Sequence, residues 1–183
     1  HNAKFIQIGT STQLGKLLYS PADESHAEFP TDVYSANKSV SEKYVLIYAN
    51  AFGIDCSVFR LPNIFGPRAS INSSDFTFNN FFIGLALQNK PITIYGKGDQ
   101  KRNLLYIDDA VDALLIGSNS NLTKGEVFFV SSDNHYSVCE IANKISKHIG
   151  NVDVNQIDWP KKRKAIEIGD AILSNKKIKK LLN

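Results

Sequence analysis

The feature that most constrains this chain is its first third, where an apolar strand, a long helix and a second apolar strand follow one another. Residues 4–9 (Lys-Phe-Ile-Gln-Ile-Gly) and 56–61 (Cys-Ser-Val-Phe-Arg-Leu) are short apolar runs of the kind that form buried strands. Residues 33–52 between them read as helix, and Gly53 stands where helices commonly end in a left-handed residue. A strand returning antiparallel needs only a short turn, whereas a helical crossover joins parallel strands, nearly always with right-handed connection. The chain is therefore predicted to be α/β and to hold half of a doubly wound parallel sheet.

In such sheets, sites form beyond the carboxyl ends of the strands. The first strand runs directly into Thr10, Ser11 and Thr12, three hydroxyls placed to hold a substrate oxygen, although hydroxyls also serve simply to make turns. Tyr34 and Lys38 stand four apart at the mouth of the helix, so they share one face. A phenol free in water ionises near pH ~10, and a neighbouring ammonium favours the phenolate, which makes such a pair usable in acid–base chemistry. Taken alone, a Tyr and a Lys at this spacing are common on helix surfaces; the surrounding motifs give the pair its meaning.

Further along, the pattern predicts a loop to about 32, a polar loop over 66–75 and a helix near 76–89 with Phe78, Phe81, Phe82 and Leu85 on its apolar side. A strand at 92–95 leads through Gly96-Lys97-Gly98 to a loop carrying Arg102. A helix near 108–118 opens with Asp108 and Asp109, which suit its N-terminus. A strand over 126–131 is expected to rejoin the sheet. Ser137 and Glu140 form a capping-box pattern for a helix near 137–149, and a last helix is expected over 171–182.

With 183 residues and 43% hydrophobic content, the chain can bury one substantial core or two small ones. No apolar run approaches the ~20 residues of a membrane span, and no charged-then-apolar leader precedes the first strand. Cys56 and Cys139 lack metal-ligand spacing and read as buried free thiols of a cytoplasmic protein. The four histidines form no ligand motif, so no metal is assigned. The net charge of +3 is modest, and the basic clusters at 161–164 and 176–180 are not interleaved with aromatics, so they read as solvated faces rather than a nucleic-acid surface.

Four segments occur in order: Thr10-Ser11-Thr12 ahead of Gly15; Tyr34 and Lys38; Arg60-Leu61-Pro62-Asn63-Ile64-Phe65-Gly66-Pro67-Arg68; and the stretch from Gly96 through Arg102 to Asp109. Together they resemble the extended short-chain dehydrogenase/reductase family, the NAD-dependent nucleotide-sugar epimerases and dehydratases. The resemblance implies a Rossmann-type lobe at 1–65 and 104–131 and a smaller α/β substrate-binding lobe at 66–103 and 132–183. It implies that Tyr34 is the acid/base, that Lys38 holds the nicotinamide ribose and favours the phenolate of Tyr34, and that Thr10 bonds the reacting oxygen, with Ser11 and Thr12 as rivals. Leu61 and Pro62 are expected beside the nicotinamide. Asn63, Thr93, Tyr95, Arg102 and Asp170 are expected on the nucleotide-sugar substrate, Arg102 as a clamp on its diphosphate. The cofactor implied is NAD, with NADP left open. The activity implied is that of a UDP-glucose 4-epimerase-like enzyme; the alternatives are a dehydratase, decarboxylase or 4-keto reductase of the same family, or a non-catalytic dinucleotide-binding regulator.

The sequence departs from the family pattern in three places. No G-x-x-G-x-x-G or G-x-G-x-x-G is present, so the chain reads as the carboxyl-terminal part of a longer protein, with its missing N-terminal half as partner. Leu14 replaces the usual aromatic before Gly15, which suggests altered packing at the sugar, and Glu167 stands where an Arg commonly precedes Asp170, leaving Arg163 or Lys164 to supply a cation. Tyr44, Ile47 and Tyr48 give the long helix a second apolar face, consistent with the homodimer that the family commonly forms.

Overall fold

The computed structural model describes residues 3–75 and 77–182. Its strands are β1 (Phe5–Thr10), β2 (Cys56–Leu61), β3 (Asn63–Phe65), β4 (Ile92–Tyr95), β5 (Lys101–Tyr106), β6 (Val127–Phe129), β7 (His135–Ser137) and β8 (Val154–Ile157). Its α-helices are α1 (Val33–Phe52), α2 (Phe78–Leu87), α3 (Ile107–Asn119), α4 (Val138–His148), α5 (Lys161–Ala165) and α6 (Lys176–Leu182).

β1, α1 and β2 form the expected parallel crossover. β1 pairs with β2 from Phe5↔Cys56 to Thr10↔Leu61, and β6 adds in parallel on the far side of β2, giving the order β1-β2-β6. The helix starts because the Asp32 carboxylate accepts the Ser35 N–H at 2.7 Å. It stops at Gly53, whose φ of 66° lets its N–H return to the Ala49 carbonyl at 3.0 Å. The apolar residues of the central strands build the core beneath α3 and α6: Phe59 and Phe128 stack at 5.3 Å among Leu105, Ala110, Val130 and Leu182. The outer edge of β6 is closed by side chains, with Glu24 accepting the Phe129 N–H at 2.8 Å and Lys177 donating to the Val127 carbonyl at 2.7 Å.

A second apolar cluster lies between α2, α4 and β4, built on Phe82, Ile92, Ile94, Val138 and Ala142. β4 pairs in parallel with β8, while β5 pairs in parallel with β3 and antiparallel with β7. The Ser137–Glu140 capping box opens α4 as predicted. Asp108 and Asp109 occupy the first turn of α3.

Several expectations are corrected. Arg102 sits on β5, not in a loop, because that segment pairs with β3 at Asn63↔Leu104. The final helix begins at Lys176; residues before it are extended, since Leu173 bridges Ala22 and gives its N–H to His135 Nε2 at 2.9 Å. Ile172 therefore lies outside that helix. The strand expected over 126–131 spans Val127–Phe129, and the helix expected over 76–89 spans Phe78–Leu87; Phe76 lies outside the described residues. Cys56 is buried, but Cys139 is only half-buried.

One buried polar network ties the sheet to α1. Arg60, 2% exposed, donates from Nε to Glu42 Oε2 at 2.9 Å and from Nη2 to Glu42 Oε1 at 2.6 Å and Glu28 Oε1 at 2.7 Å. Gln13 Nε2 joins at 2.7 Å on Glu42 Oε2. Burial pushes the Glu28 carboxyl up, but hydrogen bonds from Lys43 and Ser39 and the Arg60 charge outweigh it and leave it below its ordinary value.

Candidate active site

At the carboxyl end of the sheet, the chain leaves β1 as a 3-10 turn over Ser11–Leu14. Thr10 caps this turn with its hydroxyl, and Gln13 Oε1 accepts the Thr10 N–H at 3.2 Å in return. Gln13 is thus held between the turn and Glu42, so the hydroxyl turn is anchored to the buried charge network. The turn closes at Gly15, where φ is 64° and a Cβ would stand 1.9 Å from the Phe29 carbonyl oxygen. Thr12 Oγ1 lies 3.1 Å from Thr10 Oγ1 and 2.9 Å from Ser35 Oγ, which links the turn to the first turn of α1.

Tyr34 precedes Ser35 and has its side chain well exposed (58%). Lys38 Nζ lies 5.9 Å from the centre of the Tyr34 ring and donates to the Ile8 carbonyl at 2.8 Å. The helix sets the two residues on one face, and the strand end fixes the ammonium beneath the phenol. An ammonium has three donors, so one bond to Ile8 leaves two for a ligand.

Thr12, Thr93, Tyr95 and Arg102 line a single cavity of about 480 Å3. Its walls come from the segment before α1, from Phe78, Phe81 and Phe82 of α2, from β4, and from Trp159 and Arg163 around α5. Tyr95 and Trp159 sit with ring centres 5.4 Å apart and planes tilted by 47°, an aromatic corner in the cavity wall. Arg102 is only 12% exposed at its side chain and already engaged: Nη2 donates to Glu167 Oε1 at 2.7 Å, and Nη1 to the Gly169 and Lys101 carbonyls at 2.6 and 2.9 Å. Arg163, and not Lys164, lines the cavity; Arg163 stands 3.9 Å from Asp75.

The other expected residues fall outside this cavity lining. Thr10 and Ser11 are buried and Tyr34 is exposed, and none of the three lines the cavity, although Thr10 Oγ1 touches Thr12 Oγ1. Leu14 is fully buried with Ala22, Phe129 and Leu173, so it packs in the core and not against a sugar. Asn63 Nδ2 donates to the Asn103 carbonyl at 3.3 Å, and Asp170 Oδ1 accepts the Lys101 N–H at 2.8 Å; both hold backbone in place. Leu61 pairs with Thr10 at the end of the sheet, which brings Leu61 and Pro62 out beside the hydroxyl turn. The Gln13–Glu42–Arg60 anchor, the Trp159 wall and the Arg102–Glu167 pair were not legible in advance. The one available sign was Gly96, whose φ of 60° and missing Cβ make room for the Trp159 ring.

The ends of β1 and β2, with Lys38 beneath Tyr34, offer polar groups suited to the ribose and nicotinamide side of a dinucleotide. A glycine-rich pyrophosphate turn does not occur in the sequence. Among the described residues, no group of three or more His, Cys, Asp or Glu is placed to hold a metal ion, and no helix is long and apolar enough to cross a membrane.

A parallel α/β sheet with a hydroxyl turn, a Tyr/Lys helix and a neighbouring aromatic cavity defines the class, and comparison with known proteins gives the family. Residues 1–131 match the NAD dependent epimerase/dehydratase family, and the chain belongs to it. It is 30% identical over 136 residues to a putative UDP-glucose 4-epimerase of Methanocaldococcus jannaschii, covering 74% of this chain and 43% of that protein. It is 33% identical over 156 residues to the dTDP-D-glucose 4,6-dehydratase of Dictyostelium discoideum, covering 78% and 34%. Among solved structures, Pal from Bacillus thuringiensis superposes with a TM-score of 0.90 at 25% identity, over 100% of this chain and 57% of that one. The UDP-glucose 4-epimerase of Thermotoga maritima, solved with UDP-glucose, superposes at 0.87 and 23% identity over 97% and 56%, which supports the Rossmann-type fold. The chain thus spans about half, or less, of the length of these relatives.

Proposed function

We propose that the full-length protein is an NAD-dependent nucleotide-sugar epimerase that acts by reversible oxidation of a ring hydroxyl. The observation that carries this reading is the distribution of carboxylates. Among the described residues, those lining the cavity are Asp32 and Glu167. Asp32 is committed to capping α1 and Glu167 to Arg102, and the hydroxyl turn itself contains none. Eliminating water from a sugar needs an acid for the departing hydroxyl and a base for the adjacent carbon, whereas epimerisation needs one proton acceptor and room for the sugar to turn. That argument favours an epimerase over the dehydratase also found among the relatives.

In this reading Tyr34 takes the proton from the sugar hydroxyl and returns it, and Lys38 stabilises the phenolate while binding the cofactor ribose. Thr12 presents its hydroxyl to the sugar from the cavity wall, and Thr10 supports it through the 3.1 Å contact. Leu61 and Pro62 border the nicotinamide. Bound NAD supplies the hydride acceptor and donor. Tyr95 and Trp159 receive the base, with Thr93 on the same strand, and Arg102 faces the diphosphate. Asn63 and Asp170 act by holding β5 and its neighbours in register.

The separate apolar clusters on Phe59 and Phe128 and on Phe82 and Ile92 support a division into a dinucleotide lobe and a substrate lobe, with α6 packing on the first through Leu182. The exposed Tyr44, Ile47 and Tyr48 face of α1 supports a homodimer. Free Cys56 and Cys139 favour a cytoplasmic location. The test is Tyr34→Phe in the full-length protein: turnover falls by roughly 10²-fold or more while nucleotide-sugar affinity stays near wild type. Wild-type turnover in that variant removes Tyr34 from the mechanism.

A further inference from the structure

The cavity holds a guanidinium that looks suited to an anion but is already neutralised by its own chain. Arg102 has five N–H donors. Two bond the Lys101 and Gly169 carbonyls and a third bonds Glu167 Oε1 at 2.7 Å, which leaves two for a ligand. Glu167 Oε1 also accepts the Gly169 N–H at 3.0 Å, so its carboxylate is fixed rather than swinging. The surrounding segment is tied at both ends: Thr31 Oγ1 donates to the Ile166 carbonyl at 3.1 Å, and the Ala171 N–H to the Lys101 carbonyl at 2.9 Å. Residues 166–171 therefore form a strap from the start of α1 to β5, with the carboxylate at its centre facing the same space as the guanidinium.

We propose that Glu167 is an internal competitor for Arg102, a carboxylate latch that a ligand's phosphate must displace or share, and so a determinant of which anions the cavity accepts. The proposal rests on the nucleotide-sugar reading of this cavity. A carboxylate held 2.7 Å from the guanidinium repels an incoming phosphate and takes one of the three donors not already given to backbone carbonyls. The latch thus weakens binding of diphosphates and favours ligands that draw most of their affinity from the aromatic and sugar subsites. Because the strap also touches Thr31, displacing Glu167 reaches the segment that leads into the Tyr34 helix.

The test is calorimetric titration of the full-length protein and its Glu167→Gln variant with UDP, dTDP and GDP, and with the matching nucleosides. Gln keeps the shape and hydrogen-bonding capacity but loses the charge. The latch predicts that Glu167→Gln binds the preferred nucleoside diphosphate about tenfold more tightly, leaves the nucleoside unchanged, and shows no gain when combined with Arg102→Ala. Unchanged or weaker diphosphate binding by Glu167→Gln overturns the latch alone, as would an equal gain in the Arg102→Ala background. Failure of both proteins to bind any of the nucleoside diphosphates overturns the nucleotide-sugar reading, and the latch with it.

Discussion

Removing the Glu42 carboxylate should be the most damaging single change that leaves every cavity-lining residue in place. In Glu42→Ala, Arg60 loses two hydrogen bonds of 2.9 and 2.6 Å and retains Glu28 as its one carboxylate partner. Its Nη1 already has no hydrogen-bond partner among the described residues, and the residue is 2% exposed, so water cannot readily replace what is lost. Breaking a buried ion pair from one side costs about 3–5 kcal/mol. Glu28 still compensates part of the charge, which places the expected loss near the lower end, at about 3 kcal/mol. With a urea m-value of about 2 kcal/mol per molar, the unfolding midpoint should fall by roughly 1.5 M. Glu42→Gln can accept through one oxygen only and turns an amide N–H donor towards the N–H donors of Arg60 or Gln13, so it should lose nearly as much. The double variant Glu42→Leu/Arg60→Met should be more stable than Glu42→Ala, because it removes the orphaned charge along with its partner. A loss below about 1 kcal/mol in Glu42→Ala, or a double variant whose losses simply add, would refute the view that desolvated charge governs this site.

Two further changes probe other parts of the structure. Gly15→Ala should destabilise by at least about 1–3 kcal/mol in chemical denaturation, since φ is positive and the new Cβ would meet the Phe29 carbonyl; a neutral effect would show that the turn has room. Burial holds the His135 imidazole below its ordinary value, outweighing the backbone contact at Asp133 that raises it, and its Nε2 accepts the Leu173 N–H. The unfolded chain therefore binds the proton first as pH falls below about 6.5, so stability declines from there towards the lower folded value and is constant above it. Thermal unfolding between pH 5 and 8 should show that slope, and His135→Asn should flatten it.

What could be read from sequence was what is decided locally. The Gly53 end of α1 and the Ser137–Glu140 box are set within a few residues, and the β1–α1–β2 crossover follows from the order of long apolar segments. The strand at 92–95 is legible as a local β-branched and aromatic run, whereas β3, β5, β7 and β8 are not, because each depends on a partner distant in sequence, as with Asn63↔Leu104 and Ile92↔Val154. The final helix starts at Lys176 rather than 171 because Leu173 is held in an extended bridge by Ala22 and His135, partners that lie far away in sequence. In the site, the i,i+4 placement of Tyr34 and Lys38 needed no tertiary information. The pairing of Arg102 with Glu167 joins residues 65 apart, and no local pattern announces it. The same holds for Gln13, whose side chain is committed to both the Thr10 backbone and Glu42.

The epimerase reading stands or falls on the products. The full-length protein, incubated with NAD and a panel of UDP- and dTDP-sugars, should interconvert sugars that differ at one hydroxyl-bearing carbon, followed by NMR. It should form no 4-keto-6-deoxy sugar and release no carbon dioxide. Accumulation of a dehydrated or decarboxylated sugar with no epimer would contradict the account, because it would require a carboxylate acting where the structure places only the hydroxyls of Thr10, Ser11 and Thr12.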